Sequence, residues 1–326
     1  MSVATTTSGA IVEHRARVMG SELHLVVDGR DALAHGAERM LRHLERRWSR
    51  FLPDSDISRL NRSPGRAVPV DPSPLTLVDR MVAAWTTSAG RYDPTLLPEL
   101  LRAGYVASLE DARARTAPPA VGQEAPPWAL LDVEVDHDRS TVTLPPGISL
   151  DPGGIGKGLA ADLVASWLVD RGASGALVDV GGDLRSIGRP PTAHGWVVRV
   201  EDPFVPGEVA MVLALDRGGV CTSSTRSRRW MHEGAEHHHL IDPRTRREAV
   251  TDLASATVLA PTAAEAEVRA TSALLAGSAL ALAELDDDRL PAVLTTEDGR
   301  RLTTAVLGDV TGAAAHGAHE PTEETR

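Results

Sequence analysis

Lysine is nearly absent from this sequence. Of 34 lysines and arginines, Lys157 alone is lysine. With no lysine-rich patch and a formal net charge of −11, the chain lacks the basic face that a nucleic-acid binder requires. Cysteine is as scarce. Cys221 stands alone, which excludes an internal disulfide framework and a cysteine-built zinc centre. No run of about 18 apolar residues occurs, so no membrane span is expected. The opening MSVATTTSGAIVEHR has no charged start followed by an apolar run. It does not read as a signal peptide, and a cytoplasmic location is the expectation. Aromatic residues make up only 3%. Beside the abundance of alanine and arginine, this reads as compositional bias with little functional weight. What remains is ordinary for a globular chain: 42% hydrophobic and 24% charged residues, over a length that buries a substantial core.

Helical and extended patterns are mixed without strict alternation. Residues 16–29, ARVMGSELHLVVDG, read as two strands joined at Met19-Gly20. DALAHGAERMLRHLERRW follows as an amphipathic helix with Asp31 as its cap and Ala34, Ala37, Met40, Leu41, Leu44 and Trp48 at helical spacing. SPLTLVDRMVAAWTTSAG is a second helix. Residues 116–128, TAPPAVGQEAPPW, read as a proline-rich loop, with two short strands near 131–135 and 140–144. A helix is expected over 157–171, and strands at ALVDVGG, GWVVRVED, EVAMVLALD, HHHLIDP and LASATVLA. TAAEAEVRATSALLAG is a helix with a capping box in Thr262 and Glu265. PAVLTTEDGRRLTTAVL closes as a hairpin. The class is α+β, with mixed or antiparallel sheets and flanking helices. One domain over 1–312 is expected, followed by a disordered polar tail over 313–326.

The segment DPGGIGKGLAADLV holds four glycines within six residues, and the lone lysine sits between two of them at a helix start. It does not match a Walker loop, which needs Ser or Thr after the lysine where Gly158 stands. Nor does the spacing of Gly154, Gly156 and Gly158 match the dinucleotide fingerprint. Two readings survive. Backbone N–H groups at the helix start, with Lys157, suit a phosphate. Equally, the glycines serve a tight turn and packing alone.

Seven stretches taken in order resemble one family: VMGSELHLVV, WSRFLPDSDISRLN, RYDPT, DPGGIGKGLAAD, LVDVGGDL, HHLIDPRT and ATVLAPTAAEAEVRAT. They look like the FAD:protein FMN transferases, the ApbE-like flavin transferases, over residues 19–294. Each motif alone is weak; seven in the right order are specific. The resemblance implies a single T-fold-like catalytic domain that uses Mg²⁺. It moves FMN from FAD, the substrate, onto a Thr or Ser hydroxyl of a flavin-acceptor protein and releases AMP. Some relatives bind FAD, or hydrolyse it to AMP and FMN, with little transfer.

The same resemblance implies site residues. Glu267 and Thr271 are four apart on one helix face and both offer oxygen, which suits Mg²⁺. From spacing alone they also describe an exposed polar face. The family adds a backbone carbonyl near Gly154. Met19 falls at the isoalloxazine side, Phe51 at the usual aromatic position of the early loop, and Arg91, Tyr92 and Asp93 at the adenosine end, with Tyr92 stacking. Asp151 and Lys157 fall at the glycine turn, the lysine facing the phosphates. His239 aligns with the active-site histidine and suits a general base. On a strand His237 and His239 would point one way and His238 the other, so a zinc hydrolase built on this run is the remotest reading. Two departures stand out. Glu267 replaces the usual aspartate. Ser224, Thr225 and Arg226 replace a glycine and an acidic or aromatic pair, making the loop with Arg228 and Arg229 basic.

Overall fold

The computed structural model describes residues 10–120 and 125–309; the tail expected to be disordered lies outside them. Eight strands form one sheet: β1 (Ile11–Val18), β2 (Ser21–Asp28), β3 (Gly175–Val180), β4 (Asp183–Gly188), β5 (Gly218–Ser224), β6 (Leu253–Ala260), β7 (Ala292–Thr296) and β8 (Arg301–Thr303). Neighbours in the sheet follow chain order, and every pair is antiparallel. The fold is thus α+β, a meander whose loops have grown into helices and hairpins.

The longer helices are α1 (Asp31–Trp48), α2 (Pro72–Thr87), α3 (Gly156–Asp170), α4 (Ala263–Ala276) and α5 (Ser278–Asp287). α1, α3 and α4 lie side by side on one face of the sheet. Strand alternation divides the core accordingly. Ala176, Val178 and Val180 of β3 face the helices. Leu177, with Leu184, Val220, Leu259 and Val293, faces the ribbon Trp196–Glu201/Val209–Leu215 on the other side. In β6 the register shifts between Leu253 and Ser255. That bulge is why Leu253 and Ala256, three apart, both face the helices.

Most expected elements stand where the periodicity placed them, with three differences. Asp31 is the first helical residue rather than the cap, and the N-cap Arg30 makes no side-chain cap bond. α5 follows α4 directly across Gly277 at φ +78°. β5, GGVCTSS, is not among the expected strands. The structure gives the reason: a Cβ on Gly219 would lie 2.4 Å from the Ala263 backbone. This central strand opens on two glycines, and the missing side chain at Gly219 lets α4 start directly over it. Among the described residues no helix is long and apolar enough to cross a membrane.

Candidate functional site

The glycine turn does two jobs. Gly154 takes φ +81°, a left-handed conformation that costs glycine little. Gly158 lies where α3 meets α4, and a Cβ there would be 2.4 Å from the Ala263 carbonyl. At this crossing each helix caps the other. Asp162 of α3 accepts from the N–H groups of Ala263 and Ala264, each at 2.9 Å. Glu267 of α4 accepts from Gly158 N–H at 2.8 Å. Both carboxylates answer orphan donors at a helix N-terminus.

Glu267 is 5% exposed, so it is no part of a solvated polar face. Burial, reinforced by the nearby Asp183, pushes its carboxyl up to about 8. Lys157 leaves the first turn of α3 and pairs with Asp183, itself 3% exposed. The lysine therefore meets a carboxylate rather than standing free in the cleft. Thr271, one turn along α4, shares a hydrogen bond with Ser223 at 3.0 Å.

These residues line an open cleft of about 1290 Å³, together with Met19, Phe51, Arg91, Tyr92, Asp93, Asp151, Gly154 and His239. Met19 sits in the β1–β2 turn at φ +52°, a backbone region that non-glycine residues rarely occupy. Asp151 accepts from Arg50 at 3.1 Å. Arg50 in turn lies over the Phe51 ring at 4.1 Å and the Tyr105 ring at 4.5 Å.

The RYD segment differs from the expectation. Arg91 forms a two-pronged pair with Glu284 of α5. Tyr92 is 3% exposed, too little to present a ring face for stacking, and its ring packs on Gly154. Asp93 spends Oδ1 on the backbone and hydroxyl of Thr95, at 2.8 and 2.7 Å.

The histidine run does not alternate as expected. The strand Ala235–His238 ends before His239. His237 bonds Glu248 at 2.8 Å beside a second, smaller cleft, while His239 lines the large one. Burial and the charge of Arg228 hold the His239 imidazole well below its ordinary range, and its Nδ1 has no hydrogen-bond partner. In the basic loop Arg226 pairs with Glu297 and Arg229 with Glu236. Arg228, at φ +50°, lines the cleft with no hydrogen-bond or ion-pair partner among the described residues.

The ApbE family model matches residues 19–294. The chain belongs to the ApbE family. Among curated proteins it is 26% identical to an FAD:protein FMN transferase of Haemophilus influenzae over 272 residues, 80% of this chain and 78% of that one. It is 30% identical to one of Treponema pallidum over 245 residues, 69% and 66% of the two chains. Among solved structures, the ApbE protein of Thermotoga maritima superposes with a TM-score of 0.79 at 23% identity, over 93% of this chain and 99% of that one. The Pseudomonas stutzeri flavinyl transferase ApbE, apo form, gives 0.74 at 23% identity over 95% and 100%. These last two establish a shared ApbE fold.

In this ApbE chain the donor set at the helix crossing fits a hard divalent cation. Glu267 and Asp183 are both buried, and one lysine stands against the two carboxylates. The remaining donors, the Thr271 hydroxyl and the Gly154 backbone, are oxygens, as Mg²⁺ prefers. The sequence reading missed Asp183, Arg50 and Tyr105. Asp183 appears there only within LVDVGGDL, and Arg50 and Tyr105 carry no local signal. Only the fold brings residues 50, 105 and 151 together.

Proposed function

We propose that the chain is an Mg²⁺-dependent FAD:protein FMN transferase. It moves FMN from FAD to a Thr or Ser hydroxyl of an acceptor protein and releases AMP. The observation that carries this is the helix crossing itself: buried carboxylates in excess of cations, beside a glycine turn, at the floor of one large cleft. The curated relatives' shared activity supports it.

The acceptor oxygen forms a bond to the phosphorus nearer the flavin, and the bond from that phosphorus to the AMP phosphate breaks. Such transfers need positioning and charge more than covalent help. His239 is the base. An imidazole kept neutral by burial, with an unpartnered Nδ1, takes the hydroxyl proton near neutral pH. Glu267, Thr271 and the Gly154 carbonyl would hold Mg²⁺. When bound there, the ion polarises the pyrophosphate oxygens and neutralises their charge. Arg228, which lacks a carboxylate partner, binds the pyrophosphate. Lys157 balances Asp183 beside it. Met19 and Phe51 border the isoalloxazine side, and Arg50 holds Asp151 and Phe51 in place.

The test is incubation with FAD, Mg²⁺ and an acceptor protein, followed by mass spectrometry of the acceptor and assay of AMP. Covalent FMN on a Thr or Ser is the expected result. AMP with free FMN would instead establish hydrolysis, and no AMP at all would overturn the reading.

A further inference from the structure

A second donor cluster lies on the opposite face of β1 from the cleft. Arg15 and Arg17 of β1 line the cleft. His14, of the opposite parity, turns to α1, where its Nε2 meets Glu38 Oε2 at 2.7 Å. Alternation along a strand forces this separation. His35, three residues before Glu38 on the same face of α1, packs edge-on against the His14 ring at 5.0 Å between centroids. One ligand atom from each of His14, His35 and Glu38 lies within 4.8 Å of the others, and this is the sole such His/Cys/Asp/Glu group among the described residues.

We propose that His14, His35 and Glu38 form a surface site for a borderline transition-metal ion, Zn²⁺ above all, that ties the edge strand β1 to α1. Two imidazoles and a carboxylate are donors that Zn²⁺ takes and Mg²⁺ does not favour. Tetrahedral bonds of about 2.0–2.2 Å place ligand atoms roughly 3.4 Å apart. The surroundings suit the role. Arg42 holds the other oxygen of Glu38, Nε to Oε1 at 2.8 Å, and so aims Oε2 at His14. Asp31 Oδ2 lies 3.4 Å from His35 Nε2 and orients that ring. The side chains of His14 and Glu38 are 19% and 20% exposed, and His35 is 53% exposed. The donors are therefore ordered by packing yet open to an entering ion, with water as the fourth ligand. In the unfolded chain His14 and Glu38 are 24 residues apart, so the ion binds the folded form and raises its stability.

The experiment is zinc titration of the chelator-treated full chain by calorimetry, with thermal unfolding in parallel. Co²⁺ serves as a visible-absorbing substitute. His35→Ala removes one ligand at a half-exposed position where the fold tolerates change. His137→Ala, at an exposed histidine elsewhere, is the control. One Zn²⁺ per chain is expected, with affinity reduced roughly tenfold or more in His35→Ala and unchanged in His137→Ala. Zinc raises the unfolding midpoint of the wild type and of the control only. A Co²⁺ band characteristic of mixed nitrogen and oxygen ligands disappears in His35→Ala and in Glu38→Gln. Wild-type zinc affinity in His35→Ala, or no zinc binding by the wild type, would overturn the site and leave a hydrogen-bonded pair.

Discussion

Gly158 N–H donates to Glu267 Oε2 at 2.8 Å, so the buried carboxylate of α4 is held by the first turn of the helix that carries the only lysine. Asp162 returns the bond from α3 to the start of α4. Asp162→Ala is expected to lower stability by about 1–2 kcal/mol, as loss of a helix cap does. It also loosens the crossing that places Glu267 and Thr271. The check is the unfolding midpoint together with the Mg²⁺ concentration for half-maximal AMP release. A stability loss with an unchanged Mg²⁺ requirement would show that the crossing does not position the metal ligands.

Glu267→Gln keeps an oxygen for Gly158 and removes the charge. AMP release at ordinary Mg²⁺ concentration is expected to vanish while the protein stays folded. Glu267→Asp keeps the charge and withdraws it by one methylene, giving up the Gly158 bond. It is expected to cost about 1 kcal/mol and to retain turnover, because the charged oxygen ligand that Mg²⁺ prefers is kept. Wild-type Mg²⁺ dependence in the Gln variant would remove Glu267 from the metal site.

Lys157→Ala leaves Asp183 buried and unpaired. The expected cost is about 3 kcal/mol, the low end for breaking a buried pair; only 18% of the lysine side chain is exposed. The double variant Lys157→Met, Asp183→Leu is expected to recover that stability without recovering FAD binding. Denaturant unfolding and FAD titration separate the two effects. Normal FAD affinity in the double variant would make the pair purely structural.

Arg228→Gln removes one of the guanidinium groups that line the cleft without a partner among the described residues. A charge-assisted bond to phosphate is worth about 1.5–3 kcal/mol, so FAD affinity is expected to fall roughly tenfold to a hundredfold. Affinity for riboflavin, which has no phosphate, is expected to stay the same. Titration with both ligands at two salt concentrations decides it, since the lost term is the salt-sensitive one. Equal FAD affinity in variant and wild type would assign pyrophosphate binding elsewhere.

His239 is half-buried, and desolvation of its ring with the charge of Arg228 holds its basicity well below the ordinary 6.5. The unfolded chain therefore binds a proton here as pH falls below about 6.5, while the folded chain does not. Stability from this group is complete above 6.5 and is lost as pH falls toward the folded value. Turnover is expected to show no inflection at 6.5, its acid limb lying lower. His239→Gln is expected to flatten acid destabilisation in that window and to lower AMP release by about 10²–10⁴-fold. A wild-type rate profile breaking at 6.5 would contradict the neutral base.

Local order decided much of what the sequence alone determined. Leu41, Leu44 and Trp48 at helical spacing, the Thr262 cap, the alternating β2 pattern and the apolar run of β3 need only near neighbours along the chain. Their order also carried the resemblance to ApbE proteins. Tertiary structure decided everything that depends on residues far apart. It made GGVCTSS a central strand, because α4 starts against Gly219. It gave Lys157 to Asp183, Arg91 to Glu284 and Asp151 to Arg50. It also turned Glu267 from one residue of an apparently solvated helix face into a buried carboxylate. Periodicity records which side of an element is apolar, but a side chain's charge partner and its access to water are set by whichever distant segment folds against it.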